Sequence, residues 1–128
     1  MDFMKYDFRN ITILIAEDEK YNRYLLKELF KHTNAKIIMA ENGQEAVDFA
    51  ENNPDIKIAL LDIKMPVMDG LQAAQIIRGK FANIVLIALT AFVQELHGEP
   101  AFKERFDDYV FKPIHPEKLF KLIELYAN

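Results

Sequence analysis

The fold of this chain is decided by residues 60–70, which read LLDIKMPVMDG. The stretch begins in an apolar run, typical of a strand buried on both faces, and the run stops at the carboxylate of Asp62. A carboxylate at the end of a buried strand is costly unless it is paired or solvated, so we expect Asp62 in a polar cleft at the mouth of the strand. Pro66 ends regular structure, and Asp69 with Gly70 supplies a turn and a helix start. The stretch therefore predicts a strand, an acid, a loop and a helix.

The composition narrows the class of protein. With 128 residues and a 51% hydrophobic content, the chain suits one domain with one core. It has no Cys, which excludes disulfides and thiolate metal sites, and its longest apolar run, residues 84–91, is far below the roughly 20 residues that span a bilayer. A net charge of −4 spread along the chain argues against a nucleic-acid binder. Because residues 1–10 lack the apolar core of a signal peptide, we predict an N-terminal extension or linker at 1–10 and one domain at 11–128.

Strand and helix patterns alternate on both sides of the central stretch. β-Branched apolar runs predict strands, and apolar residues that recur every three or four positions predict amphipathic helices. The strands are expected at residues 11–16, 36–40, 56–61, 84–89 and 109–111, and the helices at 20–31, 44–51, 71–78 and around Leu119, Leu122, Ile123 and Tyr126. This alternation predicts an α/β fold with a parallel sheet, helices on both faces and right-handed crossovers.

Polar residues end four of the five predicted strands. They are Glu17 and Asp18, Asp62, Thr90, and Lys112. In open parallel sheets the ligand lies outside the carboxyl ends of the strands, and neighbouring strands are about 4.8 Å apart. We therefore expect these side chains to share one ligand.

Each of these residues also has a purely structural interpretation. An Asp after a strand is more often a helix cap than a reactive group, and Lys-Pro is usually a loop. Their common edge favours chemistry instead, because three crowded carboxylates repel one another unless a cation offsets them. Oxygen ligands without His or Cys select Mg²⁺, or Mn²⁺, rather than zinc. A hydroxyl and an ammonium opposite the acids suit a phosphoryl group.

Four motifs, in order, resemble the receiver domain of two-component response regulators. They are ILIAEDEKYN at 13–22, LLDIKMPVMDG at 60–70, ALTA at 88–91 and DDYVFKP at 107–113. The resemblance covers residue 11 to the C-terminus. It implies a doubly wound, flavodoxin-like sheet of five parallel strands in the order 2-1-3-4-5. The first motif is most similar to receivers fused behind histidine kinases.

The resemblance also implies a phosphorylation site and a metal site. Asp62 would be the phospho-acceptor. Mg²⁺ would be bound directly by Asp18, through water by Glu17, and also by Asp62 and the backbone carbonyl of Lys64.

A second set of residues would contact the phosphoryl group and respond to it. Lys112 would ion-pair with its oxygens, Thr90 would hydrogen-bond to one of them, and Ala91 would also contact the group. Tyr109 would change rotamer together with Thr90 as the switch. Pro113 has a structural role, because the resemblance implies a cis Lys112–Pro113 peptide.

Three functions from different classes are open. The first is a phospho-accepting receiver that is not an enzyme on other substrates and catalyses only its own phosphorylation and dephosphorylation. The second is a receiver-like interaction module that does not use phosphate, which the loss of Asp62, Asp18 or Lys112 would have favoured. The third is an Mg²⁺-dependent phosphohydrolase. It is disfavoured because little sequence lies outside the strands and helices to form a substrate pocket with a second acid.

The expected partners follow from the first function. The phosphoryl group would come from a histidine kinase or a histidine phosphotransfer protein. We expect no contact of this domain with nucleic acid or membrane, and a homodimer is left open. The expected location is the cytoplasm, or the cytoplasmic part of a membrane-bound hybrid kinase.

Residues 91–106 depart most from the family's pattern. A receiver normally has one continuous helix there, but Gly98-Glu99-Pro100 interrupts it. Proline costs about 3 kcal/mol in a helix interior, and glycine about 1 kcal/mol. We predict two short pieces, a turn around 93–97 and a helical segment that begins at Pro100.

The sequence further predicts a long-lived phosphorylated form. Lys64 lies two residues after Asp62, and Phe92 two after Thr90, which are positions that flank the phosphoryl group in this family. Both side chains are bulky, and Phe92 has no group that could orient an attacking water. Lys64 could instead reach the phosphoryl oxygens and change the rate of phosphoryl loss in either direction.

Overall fold

The structure is a computed structural model that describes residues 6–91 and 105–127. Its strands are β1 (Thr12–Ala16), β2 (Lys36–Ala40), β3 (Ile56–Asp62), β4 (Val85–Thr90) and β5 (Asp108–Phe111). The helices of the described residues are α1 (Lys20–Phe30), α2 (Gly43–Asn52), α3 (Gly70–Lys80) and α4 (Pro116–Ala127). Within the described residues, every predicted strand and helix is present. The ends predicted for the five strands and for α1 to α3 are confirmed to within two residues, and α4 contains the four apolar residues predicted for it.

The five strands form one parallel sheet in the order β2-β1-β3-β4-β5. The predicted order 2-1-3-4-5 is confirmed. The order reverses between β1 and β3, since the chain adds β2 on one side of β1 and every later strand on the other. In open sheets of this kind, the crevice outside the carboxyl ends of the strands at the reversal is the usual ligand site.

Helices cover both faces of the sheet, as predicted. Leu61 packs in an apolar layer with residues of α2 and α3, whereas its neighbour Leu60 packs in a second layer with residues of α1 and α4. Successive side chains of a strand point to opposite faces, so the continuous apolar run of β3 fills both layers. The carboxylate of Asp62 then lies where this run ends.

The N-terminal residues from Tyr6 onward pack against the domain. Tyr6 and Phe8 are buried, with 2% and 4% of their surface exposed, and both rings contact Phe120 of α4, at centroid distances of 5.2 and 6.2 Å. The backbone N–H of Phe8 also donates to the carbonyl of Thr33, just beyond α1. Residues 1–10 are predicted to be an extension or linker. The described part of that segment contributes two aromatic side chains to the core.

A polar network holds the start of β5 in place. The carboxylate of Asp107 accepts hydrogen bonds from the guanidinium of Arg78 (2.6 Å) and from the backbone N–H of Leu86 (2.8 Å). These bonds attach β5 to α3 and β4 at the end of the sheet opposite to its carboxyl edge. The strand then delivers Lys112 to that edge.

The predicted break at Gly98-Glu99-Pro100 lies outside the described residues, as does Phe92. Among the residues that the structure describes, no helix is both long enough and apolar enough to cross a membrane.

Candidate functional site

Three carboxylates meet at the carboxyl edge of the sheet. Oxygen atoms of Glu17, Asp18 and Asp62 all lie within 4.8 Å of one another. Glu17 and Asp62 are buried, with 1% and 7% of their surface exposed, whereas Asp18 is exposed. Parallel pairing explains the meeting, because Ala16 at the end of β1 is in register with Leu61 of β3.

Lys112 follows the edge strand β5 and extends to the carboxylates at the ends of β1 and β3. Its ammonium donates to Oδ2 of Asp62 at 2.6 Å and to Oε1 of Glu17 at 3.0 Å. The backbone N–H of Lys112 donates to the carbonyl of Thr90, which anchors the residue at the end of β4. The predicted cis peptide between Lys112 and Pro113 is present. One ammonium therefore forms ion pairs with two buried carboxylates.

The two carboxylates differ in their titration. Burial raises the pKa of Asp62, and the hydrogen bond and the charge of Lys112 oppose this without cancelling it. Burial acts in the same direction on Glu17, but hydrogen bonds from the backbone N–H of Glu19 and from Lys112 outweigh it, so the pKa of Glu17 lies below its usual value. For Lys112, burial lowers the pKa, but its two carboxylate partners outweigh this and raise it. Glu17 therefore remains charged beside Lys112, whereas the ionised form of Asp62 would be favoured by a further cation.

This donor set fits a hard divalent cation. All of the side-chain donors are carboxylate oxygens, and Asp18 opens the cluster toward solvent. Mg²⁺ prefers oxygen donors and is commonly held by one or two carboxylates with several waters. The cluster therefore suits Mg²⁺, or Mn²⁺, better than zinc.

The loop after Asp62 is held by backbone contacts at both of its ends. Gly70 donates its N–H to the carbonyl of Ile63 (2.8 Å), and Gly43 at the start of α2 donates to the carbonyl of Met68 (2.9 Å). Between them, Val67 has a φ of 68°, which is strained for a β-branched residue. The loop thus has a fixed shape.

Lys64 lies on this loop directly beside the acidic cluster. Its backbone N–H donates to Oδ1 of Asp62 at 3.3 Å. The loop therefore brings the backbone N–H of Lys64 to the carboxylate cluster, and the metal-ligand role of the Lys64 carbonyl stays a prediction.

The predicted phosphoryl-contacting and switch residues occupy the ends of β4 and β5. Thr90 is buried at the last position of β4, and Ala91 follows it at the surface. Tyr109 is 44% exposed, and its ring packs edge-on against Phe111 at a centroid distance of 5.1 Å. The structure thus brings Glu17, Asp18, Asp62 and Lys112 together, and it has the Tyr109 ring at the surface.

Arg23 of α1 lies at the site and was not predicted from the sequence. Its guanidinium donates to the backbone carbonyls of Glu17 (3.0 Å) and Asp18 (2.7 Å). The available signal was weak, since a single Arg on an amphipathic helix is usually an exposed solubilising residue. Its position one turn after Glu19 was the only indication in the sequence that it lies over the acidic residues.

A family model described as the response regulator receiver domain matches residues 13–124. The chain belongs to this family. The receiver domain is also similar to parts of longer proteins. It is 36% identical over 119 residues to hybrid signal transduction histidine kinase I of Dictyostelium discoideum, covering 87% of this chain and 7% of that protein. It is 37% identical over 107 residues to the transcriptional regulatory protein SrrA of Staphylococcus aureus, covering 84% of this chain and 44% of that protein.

One solved structure links the receiver fold to a phosphotransfer partner. The receiver domain of the Saccharomyces cerevisiae response regulator Ssk1, crystallised with the histidine phosphotransfer signaling protein Ypd1, superposes with a TM-score of 0.82 at 27% identity. The match covers 94% of this chain and 90% of that one. The chain spans less than half the length of the curated relatives from Dictyostelium discoideum and Staphylococcus aureus.

Proposed function

We propose that this receiver domain accepts a phosphoryl group on Asp62. The observation that carries the proposal is the contact of Asp62 with Lys112 at 2.6 Å inside a cluster of three carboxylates. Asp62 differs from its neighbours in burial and in how its oxygens are held, since Asp18 is exposed. The two oxygens of Glu17 accept bonds of 3.0 Å from Lys112 and from the N–H of Glu19, whereas Oδ1 of Asp62 accepts, among the described contacts, only a longer bond of 3.3 Å, from the N–H of Lys64.

The reaction is a transfer between two nucleophiles. A carboxylate oxygen of Asp62 attacks the phosphorus of a phosphohistidine, the P–N bond breaks, and its electron pair returns to the imidazole nitrogen. The ammonium of Lys112 stabilises the negative charge on the phosphoryl oxygens, so positioning and charge supply most of the catalysis. The product is an aspartyl phosphate on the chain itself.

Glu17, Asp18, Asp62 and the backbone carbonyl of Lys64 would hold Mg²⁺ or Mn²⁺. The bound cation would supply positive charge to the oxygens of the transferring group. The carboxylates within 4.8 Å of one another support this assignment, because their mutual repulsion is offset by Lys112 alone among the described side-chain contacts.

The response to phosphorylation involves Thr90, Ala91 and Tyr109. The hydroxyl of Thr90 would hydrogen-bond to a phosphoryl oxygen, and the backbone at Ala91 would contact the same group. The exposed position of the Tyr109 ring supports its role as the mobile part of the switch, since an inward turn would bury it.

The donor would be a histidine kinase or a histidine phosphotransfer protein. The 27% identity to the Ssk1 receiver, which was crystallised with such a phosphotransfer protein, supports this. In this function the domain is a phospho-acceptor and acts on no separate substrate. The expected lack of nucleic-acid and membrane contacts, the homodimer and the cytoplasmic location stay predictions.

Labelling by a small phosphodonor tests the proposal. The protein is incubated with Mg²⁺ and acetyl phosphate and analysed by intact mass, with Asp62→Asn as the test variant. Asp55→Asn is the matched control, since Asp55 is exposed and is not part of the carboxylate cluster. We expect one phosphoryl group on the parent and on Asp55→Asn, and none on Asp62→Asn or after chelation. Undiminished labelling of Asp62→Asn would contradict the assignment.

A further inference from the structure

Building on the proposed function, we propose that Arg23 is a positioning residue for the Mg²⁺ site. Nη1 of Arg23 donates to the carbonyl oxygen of Glu17 at 3.0 Å and to that of Asp18 at 2.7 Å. These are the backbones of two of the three residues in the carboxylate cluster. Arg23 contacts none of the cluster carboxylates by a described hydrogen bond or ion pair, so it acts through the backbone.

The turn between β1 and α1 has no side-chain cap at the start of the helix. Glu19 is the N-cap of α1, but its side chain makes no capping hydrogen bond, and the first turn of the helix has no acidic residue. A capping side chain normally fixes the entry to a helix. The N–H of Glu17 donates to the carbonyl of Ala40, and its carboxylate accepts from Lys112 and from the N–H of Glu19. Among these described contacts, only the guanidinium of Arg23 contacts the carbonyls of Glu17 and Asp18.

The guanidinium is itself fixed. The Arg23 side chain is only 18% exposed, and Nη2 lies 3.4 Å from Oε1 of Glu41 in the loop before α2. The backbone N–H of Glu41 donates in turn to the carboxylate of Glu45 in the first turn of α2. Arg23 therefore connects the acidic turn to the start of α2 through a planar group with little freedom to rotate.

The consequence is a specific role in metal binding. A metal site requires its ligands to be held in place before the metal arrives, and residues that orient the ligands typically change metal affinity by 10- to 100-fold. Without Arg23, the carbonyls of Glu17 and Asp18 lose their shared donor, and the backbone that carries both carboxylates is less restricted. Arg23 thus sets Mg²⁺ affinity by restricting the geometry of Asp18 and Glu17.

Mg²⁺ titration by calorimetry tests this role in the parent, Arg23→Ala and Glu41→Gln. Glu41→Gln is the matched control, because it removes the ion pair of Arg23 and leaves both bonds to the carbonyls. We expect Mg²⁺ affinity to fall about tenfold in Arg23→Ala and to change by less than about twofold in Glu41→Gln. Amide exchange without metal should be faster at Glu19 in Arg23→Ala and unchanged in Glu41→Gln.

Several results would overturn the inference. Parental Mg²⁺ affinity in Arg23→Ala would do so, as would an equal loss in Glu41→Gln, which would assign the effect to the ion pair. Should Arg23→Ala fail to fold, Arg23→Lys keeps the charge and the aliphatic stem but lacks the planar fork. We expect weakened Mg²⁺ binding in that variant, and parental affinity would refute the role. A parent that binds no Mg²⁺ contradicts the proposed function and this inference with it, whereas a failure of the variants alone contradicts only the role of Arg23.

Discussion

Replacing Gly43 with Ala tests whether the loop after Asp62 is held in place by a backbone contact. A Cβ at Gly43 would lie 2.3 Å from the carbonyl oxygen of Met68 and 2.9 Å from that of Asp69. Both oxygens belong to the backbone, so neither can rotate aside, and the loop itself must move. Because the same loop carries Lys64, whose carbonyl is a proposed metal ligand, the movement reaches the metal site.

Two opposing terms set the magnitude of the effect. Ordinary contacts begin at 3.4 Å, so the carbonyl of Met68 must withdraw by about 1 Å, and such overpacking typically costs about 1–3 kcal/mol. Ala in place of Gly also stabilises a helix by about 0.5–1 kcal/mol. The expected net loss in the free energy of unfolding is about 1–2 kcal/mol, or about 3–7 °C in Tm for a chain of this size.

Gly79→Ala is the matched control. Gly79 lies in α3, and a Cβ there would have no heavy atom within 4 Å. Only the backbone term remains, so this variant should gain about 0.5–1 kcal/mol. Thermal unfolding without metal, followed by circular dichroism, measures both variants. Calorimetry then measures Mg²⁺ affinity, which should fall several-fold in Gly43→Ala and stay at the parental value in Gly79→Ala.

Two separate results would refute this reasoning. If Gly43→Ala were as stable as Gly79→Ala, the contact between Gly43 and Met68 would not constrain the loop. If Gly43→Ala were destabilised but bound Mg²⁺ as tightly as the parent, the displacement would not reach Lys64.

Three other perturbations have defined outcomes. The pKa of Asp62 is higher in the folded state than its ordinary value of 3.8. Its contribution to stability is therefore present at low pH and is lost as the pH rises through the pKa of the folded state. At pH 7, Asp62→Asn should unfold at a higher temperature than the metal-free parent. Added Mg²⁺ should raise the Tm of the parent and not that of Asp62→Asn, and a lower Tm of the metal-free variant would contradict the argument. Phe8→Ala should lower the free energy of unfolding, measured in urea, by about 3 kcal/mol, and Phe111→Ala, at an exposed residue, by less than about 1 kcal/mol. Equal losses would show that the buried ring of Phe8 adds no more stability than an exposed ring. Lys64→Ala should speed the loss of the phosphoryl group from Asp62, timed by intact mass, and an unchanged rate would show that this side chain does not shield the group from water.

Much of the carboxyl edge of the sheet could be predicted, because a strand that ends in a polar residue can be recognised within a short stretch of sequence. The apolar run before Asp62 and the one before Glu17 each stop at an acid, and parallel topology brings such ends together. The predicted strands end one residue before Asp62 and one before Thr90, whereas in the structure these residues are the last of β3 and β4. Their backbones remain in the pairing, with Asp62 opposite Leu89 and Thr90 opposite Phe111.

Contacts between segments that are distant in the chain could not be predicted from the sequence. The bond from Arg23 to the Glu17 carbonyl and the close approach of Gly43 to Met68 depend on tertiary distances that periodicity does not encode. The burial of Tyr6 and Phe8 had a weak signal, because two aromatic residues separated by one polar residue alternate as in a half-buried extended segment. Such a short alternation is too brief to distinguish from a linker.

The packing of Tyr6 and Phe8 on Phe120 also orders events during translation. Nearly the whole described chain separates these residues, and a ribosome adding about 5–20 residues per second needs on the order of 10 s to pass from the first to the last. Until α4 has left the ribosome, the two aromatic side chains lack their partner and present apolar surface to chaperones. The core of the domain is therefore completed late, when Tyr6 and Phe8 pack against α4.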